Sequence, residues 1–161
     1  MFTKSPFIGS PFIIRRGVTR MADILFSNSE LGILLDLSPT TVFQDSAMTT
    51  PAESGDPVGA VLDASGNDFH LVQATTLNKP TLQQDANGKY YLAFDGVDDK
   101  LTATFPEALG NCTLVFAGVE QVSAMYPISV GTTFGLHTGP CYGLILISRE
   151  LTAEELGGGG I

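Results

Sequence analysis

The sequence predicts an all-β protein, an antiparallel β-sandwich, on three observations. Apolar and polar residues alternate along residues 89–105, where Tyr90, Leu92 and Phe94 share one face, the period of a strand with one buried side. Residues 95–99 interrupt this alternation with a glycine and short acidic side chains, which suit a tight corner between two strands. The 18 glycines and 9 prolines follow no repeat, as expected of many short strands joined by turns.

The composition fits one globular domain whose charge is unevenly placed. The chain has 161 residues, of which 43% are hydrophobic and 16% charged, enough for a real core. Residues 1–20 carry four basic and no acidic side chains, whereas residues 21–161 carry 4 basic and 17 acidic ones, a net −13. An acidic body repels phosphates, so we expect no nucleic-acid partner. We expect no membrane insertion, because no apolar stretch approaches the length of a bilayer span.

We divide the chain into a basic N-terminal arm over residues 1–24, a β-sandwich over residues 25–156 and a glycine-rich tail over residues 157–161. The arm is expected to be extended and to contact other subunits through its basic side chains. These candidate assembly residues are Lys4, Arg15, Arg16 and Arg20. Two alternatives are a solvated, flexible terminus, and upstream sequence that is absent from the native product if Met21 is its start.

The strands of the sandwich are expected in order along the body. Apolar or alternating stretches between turn residues predict strands at residues 33–35, 58–62, 70–73, 80–83, 89–94, 101–105, 113–119, 128–130 and 142–147. Residues 113–119 are apolar on both faces, which places them in the centre of a sheet. Residues 39–57 are rich in polar and turn-forming side chains and predict a long surface loop, and residues 131–140 predict another.

Short helical features are expected at both ends of the body. Leu25 and Phe26 precede a serine-rich segment and are placed to open a helical turn with a serine cap. Near the C-terminus, Thr152 and Glu155 have the spacing of a capping box, in which a hydroxyl and a carboxylate satisfy each other's backbone N–H groups. A short helix is therefore predicted there, ended by the glycines that follow.

The two cysteines are Cys112 and Cys141, too few for a disulfide framework. Each borders an apolar run, where a cysteine usually behaves as a small buried hydrophobe. A single bridge between them is the alternative, and neither has the histidine spacing of a zinc site.

Three motifs resemble concanavalin A-like lectin/glucanase (laminin-G-like) jelly-roll domains, and residues 25–37 and 41–46 resemble the version carried by tailed-phage and prophage virion proteins. The three motifs are Phe94-Asp95-Gly96-Val97-Asp98-Asp99, the Asp-Ala-Ser-Gly-Asn segment at residues 63–67, and Asn78-Lys79-Pro80-Thr81-Leu82. The resemblance covers residues 25–156 and implies a jelly roll in a virion. The chain departs from the family in length, because only residues 120–141 are available where such domains place several more strands. We expect a shortened sandwich with room for two short strands there, or one that another chain completes.

Asp95, Asp98 and Asp99 are the candidate metal ligands. Clustered carboxylates suit Ca²⁺, which takes oxygen ligands, and lectin-like relatives sometimes carry this ion at loop ends. The preferred interpretation is a polar corner in which Asp95 and Asp98 accept backbone N–H groups. No other cofactor is expected.

We expect no enzymatic activity. A glycosidase of this fold needs two facing carboxylates, but Glu120 stands alone and Glu154 and Glu155 lie in the predicted terminal helix. The two histidines, His70 and His137, belong to no catalytic pattern.

The predicted function is that of a bacteriophage virion structural protein, a fibre, collar or decoration component located in the virion. Its expected partners are other virion proteins and copies of itself. The alternative is a carbohydrate-binding adhesion module that recognises host surface glycans, for which Tyr91 is the best exposed contact because Tyr90 shares its face with Leu92.

Overall fold

The computed structural model describes residues 16–118, 126–130, 132–136 and 140–155. These residues form one α-helix, a 3₁₀ turn at Thr76–Asn78 and eleven strands. The elements are α1 Arg16–Leu25, β1 Gly32–Asp36, β2 Val42–Phe43, β3 Ala60–Val61, β4 Leu71–Val72, β5 Thr81–Gln84, β6 Tyr90–Ala93, β7 Leu101–Thr104, β8 Gly110–Gly118, β9 Tyr126–Val130, β10 Thr133–Leu136 and β11 Cys141–Ile147. The helix is too short to cross a membrane.

The strands form two antiparallel sheets. One sheet, here called sheet A, has the order β5-β6-β11-β8-β9, and the other, sheet B, has the order β10-β7-β4-β3-β2. In sheet A, β1 shares one side of β11 with β6: β1 pairs with residues 143–147, and β6 pairs at Cys141. The β8–β11 ladder forms the centre of this sheet, as the apolar sequence of residues 113–119 predicts.

A single core lies between the sheets. Leu82, Leu92 and Leu146 of sheet A and Leu71 and Leu101 of sheet B are completely buried in one cluster. Each fully buried leucine contributes about 1.5–3 kcal/mol relative to an exposed one. The predicted antiparallel β-sandwich is therefore confirmed.

A second apolar cluster lies on the outer face of sheet A. In β11, Leu144 and Leu146 face the core, so Ile145 and Ile147 point to the other side by the period of a strand. On that face they form a cluster with Val115 of β8. Leu25 of α1, Phe26 and Leu151 pack against this cluster and cover it. The centre of sheet A is thus apolar on both faces because α1 and the C-terminal segment cover it.

The long polar loop protects two sheet edges. The backbone N–H of Val58 donates to the Pro80 carbonyl (2.7 Å) beside β5, and Ala52 donates to Val42 (2.9 Å) beside β2. Consecutive parts of residues 44–58 therefore run along the outer edges of both sheets on the same side of the sandwich. An exposed edge presents unpaired N–H and C=O groups, so this loop satisfies backbone that would otherwise invite pairing.

Two strands lie where the sequence predicts loops. β2 falls inside the predicted loop at residues 39–57, and β10 inside the one at residues 131–140. In β10, Phe134 and Leu136 are buried and Gly135 between them is exposed. This alternation covers only four residues of a glycine-containing segment, which is too short to predict a strand from the sequence. Together β9 and β10 supply the two short strands expected between residues 120 and 141.

Residues 16–24 of the predicted extended arm are helical, because Arg16–Leu25 form α1, and residues 1–15 lie outside the described residues. Ala22 and Leu25 are buried one turn apart, which gives the helix an apolar face to place on the sheet. The helical turn predicted to open at Leu25 instead closes there, and the Ser27 hydroxyl donates to the carbonyl of Ile24 at 3.3 Å. Lys4 and Arg15 lie outside the described residues.

The capping box near the C-terminus is present. The backbone N–H of Thr152 donates to Glu155 Oε2 at 2.8 Å, and the backbone N–H of Glu155 donates to Thr152 Oγ1 at 3.3 Å. Residues 153–155 form a turn, and the rest of the predicted helix and the glycine-rich tail lie outside the described residues.

Neither cysteine forms a disulfide, and both are buried. Cys112 is opposite Ile128, whereas Cys141 is opposite Gly118, six positions further along β8. That separation is about 20 Å at the rise of a strand, too far for a bridge. Burial raises the pKa of the Cys141 thiol to about 12, so this cysteine acts as a packing residue.

Candidate functional site

The acidic corner between β6 and β7 is built by its own aspartates. Asp95 Oδ1 accepts the backbone N–H groups of Val97 (2.8 Å), Asp98 (3.2 Å) and Asp99 (3.2 Å). The second acceptor is Asp99 and not Asp98 as predicted, because Asp99 Oδ2 accepts the N–H of Asp95 at 2.9 Å. Gly96 takes a φ of 76°, in the left-handed region that favours glycine. The spacing of acids and glycine is therefore a folding requirement of this corner.

The same corner brings the three predicted metal ligands together. One oxygen from each of Asp95, Asp98 and Asp99 lies within 4.8 Å of the others. The N–H groups of Val97 and Asp99 lower the pKa of Asp95, whereas burial and the neighbouring charges of Asp95 and Asp98 raise the pKa of Asp99. A cation could relieve this crowding, but it would compete with backbone N–H groups for Asp95 Oδ1 and Asp99 Oδ2.

The 3₁₀ turn at Thr76–Asn78 is fastened to this corner. Asn78 Nδ2 donates to the Asp98 carbonyl at 3.0 Å, and the N–H of Lys100 donates to the Asn78 carbonyl at 3.0 Å. A surface cavity of about 370 Å³ lies at the junction and is lined by Asn78 and residues 96–100. Val97 lines it with 85% of its surface exposed, and Leu77, the neighbour of Asn78 in the chain, is 84% exposed.

A pair of tyrosines lies on the outer face of sheet A. The rings of Tyr91 in β6 and Tyr142 in β11 are 5.1 Å apart between centroids and tilted by 33°. Tyr91 alternates with the buried Leu92 and therefore points away from the core, as predicted, although its ring is half-buried against Tyr142. The sequence did not point to Tyr142, because its proximity to Tyr91 depends on the pairing of β6 with β11.

A polar hairpin turn borders the tyrosine pair. Asp85 Oδ1 accepts the N–H groups of Asn87 (2.8 Å) and Lys89 (2.9 Å), and the Tyr142 ring lines the same cavity as the Asp85 side chain. The backbone N–H of Lys89, followed by that of Asn87, lowers the pKa of Asp85. Burial and the negative charge of Asp85 raise the pKa of Tyr142. A cavity of about 360 Å³ is lined by these groups together with Ala117 and Gly118.

The Asp-Ala-Ser-Gly-Asn segment is organised by a buried carboxylate. Asp63 accepts four hydrogen bonds, from the N–H groups of Leu34, Ser65 and Phe69 and from the Ser65 hydroxyl, at 2.7–3.2 Å. His70 Nδ1 accepts the backbone N–H of Asp63 at 3.1 Å. An aspartate, a serine and a histidine therefore meet here, but no serine–histidine bond links them as nucleophilic catalysis requires.

Arg149 fastens α1 to the body, and sequence reasoning missed it. Its guanidinium donates to the Leu25 carbonyl (3.2 Å), to Glu30 Oε1 (3.2 Å) and to Glu155 Oε1 (2.6 Å). Hydrogen bonds from Arg149 and from the Thr152 N–H lower the pKa of Glu155 to about 2. The available signal was that Arg149 is the one basic residue after Lys100 in an acidic body.

For the remaining predicted residues, the structure describes no side chain. Arg16 and Arg20 lie in α1, and their side chains are not among the described ones. Glu120 and His137 lie outside the described residues.

Comparisons with protein-family models, with curated proteins and with solved structures gave no match to this chain.

Proposed function

We propose that this chain is a structural protein of a tailed-phage virion, a fibre, collar or decoration component that acts through contacts with its own copies and with other virion proteins. One observation carries the proposal: the basic N-terminal segment enters the body through an anchored helix. Leu25 is 3% exposed, and Arg149 holds the carbonyl end of α1, whereas Met21 and Ile24 stay exposed on the same helix. An element that is held at one end and exposes two large apolar side chains, on either side of Asp23, suits a subunit contact.

The motif resemblance supports the virion setting. The Asp63 loop and the Asp95 corner are built by hydrogen bonds that the aspartates of the resemblance accept, and they connect strands of a two-sheet sandwich. We propose that this sandwich is a shortened concanavalin A-like jelly roll. We propose a binding and scaffolding role without catalysis, because the sequence lacks the pair of facing carboxylates that a glycosidase of this fold needs.

The experiment is the mass in solution, by light scattering, of the full chain and of a chain that starts at Met21. We expect the full chain to form oligomers and the shortened chain to be monomeric or more weakly associated. If both were stable monomers, the arm would have no role in self-assembly and the structural proposal would lose its support.

The second candidate function is carbohydrate binding, favoured by the Tyr91–Tyr142 pair. An aromatic face packs against the apolar face of a sugar ring, while Asp85, Asn87 and Lys89 offer hydrogen-bonding groups beside the same cavity. A glycan array probed with the wild type and with Tyr142→Ala tests it, and Val97→Ser at the distant corner is the control. Binding that Tyr142→Ala abolishes and Val97→Ser retains would favour the adhesin, whereas no binding by the wild type would remove it.

A further inference from the structure

The two sides of the sandwich differ in how their sheet edges are covered. Residues 44–58 run along the outer edges of β5 and β2 on one side. On the opposite side, sheet A ends in β9 and sheet B ends in β10. No described residue pairs with the outer edge of β10, the side of Thr133–Leu136 away from β7, which is here called the β10 edge. An uncovered edge is a template for pairing with another chain.

The backbone groups of the β10 edge follow from the pairing of β10 with β7. The Phe105 N–H donates to the Thr132 carbonyl at 2.7 Å, in the register that the two strands keep along their length. Because hydrogen-bonded and non-hydrogen-bonded positions alternate in an antiparallel ladder, the even-numbered residues of β10 also bond to β7. Thr133 and Gly135 therefore direct their N–H and C=O groups outward.

The side chains do not block pairing at this edge. Thr133 and Gly135 are exposed, and nothing lies within 4 Å of a Cβ added to Gly135. Natural edge strands are often protected by a charge, a proline or a bulge, but β10 has no charge and no proline, and its register with β7 is regular. Phe134 and Leu136 are buried in the core, so the inward face of the strand is fixed.

The distribution of charge favours a second copy as the partner of this edge. The chain has 8 basic and 17 acidic side chains, but none of them lies in residues 121–148, and β10 is near the middle of this stretch. The neighbouring strand β7 is also uncharged, with Lys100 before it and Glu107 beyond it. Because a net charge of −9 makes copies repel each other, they approach most easily through an uncharged edge.

We propose that the β10 edge of one copy pairs antiparallel with the β10 edge of a second copy. This contact rests on the assembly role proposed above and names a surface for it. With the two Phe134 residues opposite each other across a two-fold axis, Thr133 of each copy lies opposite Gly135 of the other. These two pairs exchange about four backbone hydrogen bonds, and sheet B continues from one copy into the next. The strands are short, so the contact is at the low end of interface size.

Gly135→Pro tests the contact in the full chain. Proline removes the outward N–H but keeps the bonds to β7, and an edge strand tolerates it. Gly135→Ala is the matched control, because it keeps the N–H and adds a methyl group in open space. Association is measured by sedimentation at high salt, which screens the charges of the basic N-terminal segment. We expect Gly135→Pro, which removes two of the four bonds, to weaken the association at least about tenfold, and Gly135→Ala to leave it within about twofold of the wild type.

Amide hydrogen exchange of the wild type, followed by NMR, tests the same contact without a substitution. The N–H groups of Phe134 and Leu136 bond to β7 within each copy and should exchange slowly at every protein concentration. The N–H groups of Thr133 and Gly135 should exchange rapidly in dilute protein and at least about tenfold more slowly once most of the protein is paired. If Gly135→Pro fails to fold, this measurement decides alone.

The outcomes distinguish the edge pairing from the broader assembly role. If the wild type associates at high salt but folded Gly135→Pro associates equally well, or exchange at Thr133 and Gly135 does not slow with concentration, the edge pairing is overturned and another surface carries the assembly. If the wild type associates at low salt only, the edge pairing is overturned and the assembly role stands on the N-terminal segment. A wild type that is monomeric at both salt concentrations overturns both.

Discussion

At the scale of single residues, Arg149 joins segments that are far apart in the chain. Its bond to the Leu25 carbonyl spans 124 residues, and its bond to Glu30 spans 119. The carboxylates of Glu30 and Glu155 are 11% and 17% exposed, so both are partly withdrawn from water. Removing the guanidinium would leave two partly buried acids without their cation.

Arg149→Met is expected to lower the free energy of unfolding by about 1–2 kcal/mol, because these ion pairs are neither fully exposed nor fully buried. Urea unfolding measures the change. Arg149→Lys is the control, because it keeps the charge but loses the planar guanidinium that reaches three acceptors. Its free energy of unfolding should lie between those of the wild type and Arg149→Met. A loss no larger than that of an ordinary surface substitution, about 0.5 kcal/mol, would contradict this role.

The dependence of stability on pH tests the same residue. The pKa of Glu155 is about 2, below its ordinary 4.5, mainly through Arg149 and next through the Thr152 N–H. A lowered folded-state pKa stabilises the protein fully above pH 4.5, and this contribution is lost as the pH falls through about 2. We expect the free energy of unfolding to decrease over that window, and less steeply in Arg149→Met. Parallel slopes for the two proteins in urea titrations would show that Arg149 does not set this pKa.

At the scale of elements, the pairing of β1 with β11 depends on Gly32. Its φ is 155°, and an added Cβ would collide with the backbone carbonyl of Leu146 on the neighbouring strand. β1 also links the sheets, because Leu35 forms an isolated bridge with Asp63. A side chain at position 32 would therefore push apart the strand pair that supports α1.

Gly32→Ala is expected to cost about 3 kcal/mol or more in the free energy of unfolding, since rigid backbone must move. Gly66→Ala is the matched control: φ there is 94°, but nothing lies within 4 Å of an added Cβ, so only the conformational cost of about 1–2 kcal/mol applies. Thermal or urea unfolding compares the two. Equal losses would mean that the collision at β11 is relieved without cost.

The acidic corner is expected to hold its shape without a metal ion. Asp95 and Asp99 already accept four backbone N–H groups between them. The melting temperature should therefore be the same in excess chelator and in millimolar Ca²⁺. A stabilisation by Ca²⁺ that Asp98→Asn removes would instead establish the corner as a calcium site.

Local patterns predicted the strands better than the contacts between them. β1, β7 and β11 follow from alternating or apolar stretches because their backbone preferences are local. α1 was missed because the glycine and prolines near it argue against a helix, whereas its stability comes from burying Leu25 on sheet A. The Tyr91–Tyr142 pair and the Arg149 network were missed for the same reason, since both depend on strand pairing between distant parts of the chain.

At the scale of the whole molecule, residues 44–58 protect one side of the sandwich. The charge is uneven along the chain, basic over residues 1–20 and acidic over the rest. The described body is acidic and closed around one core, and the basic segment enters it through α1. A net charge of −9 keeps copies apart at long range, so an association between copies needs local complementarity to overcome it.

The most direct test of the assembly role is the mass of the full-length chain in solution, measured by sedimentation over a wide range of concentration at low and high salt. We predict a mass above that of the monomer that rises with concentration and falls with salt, because in the proposed assembly the basic N-terminal segment contacts the acidic body of another copy. A mass that stays at the 17.0 kDa of one chain under all these conditions would contradict a protein that works through contacts between its copies.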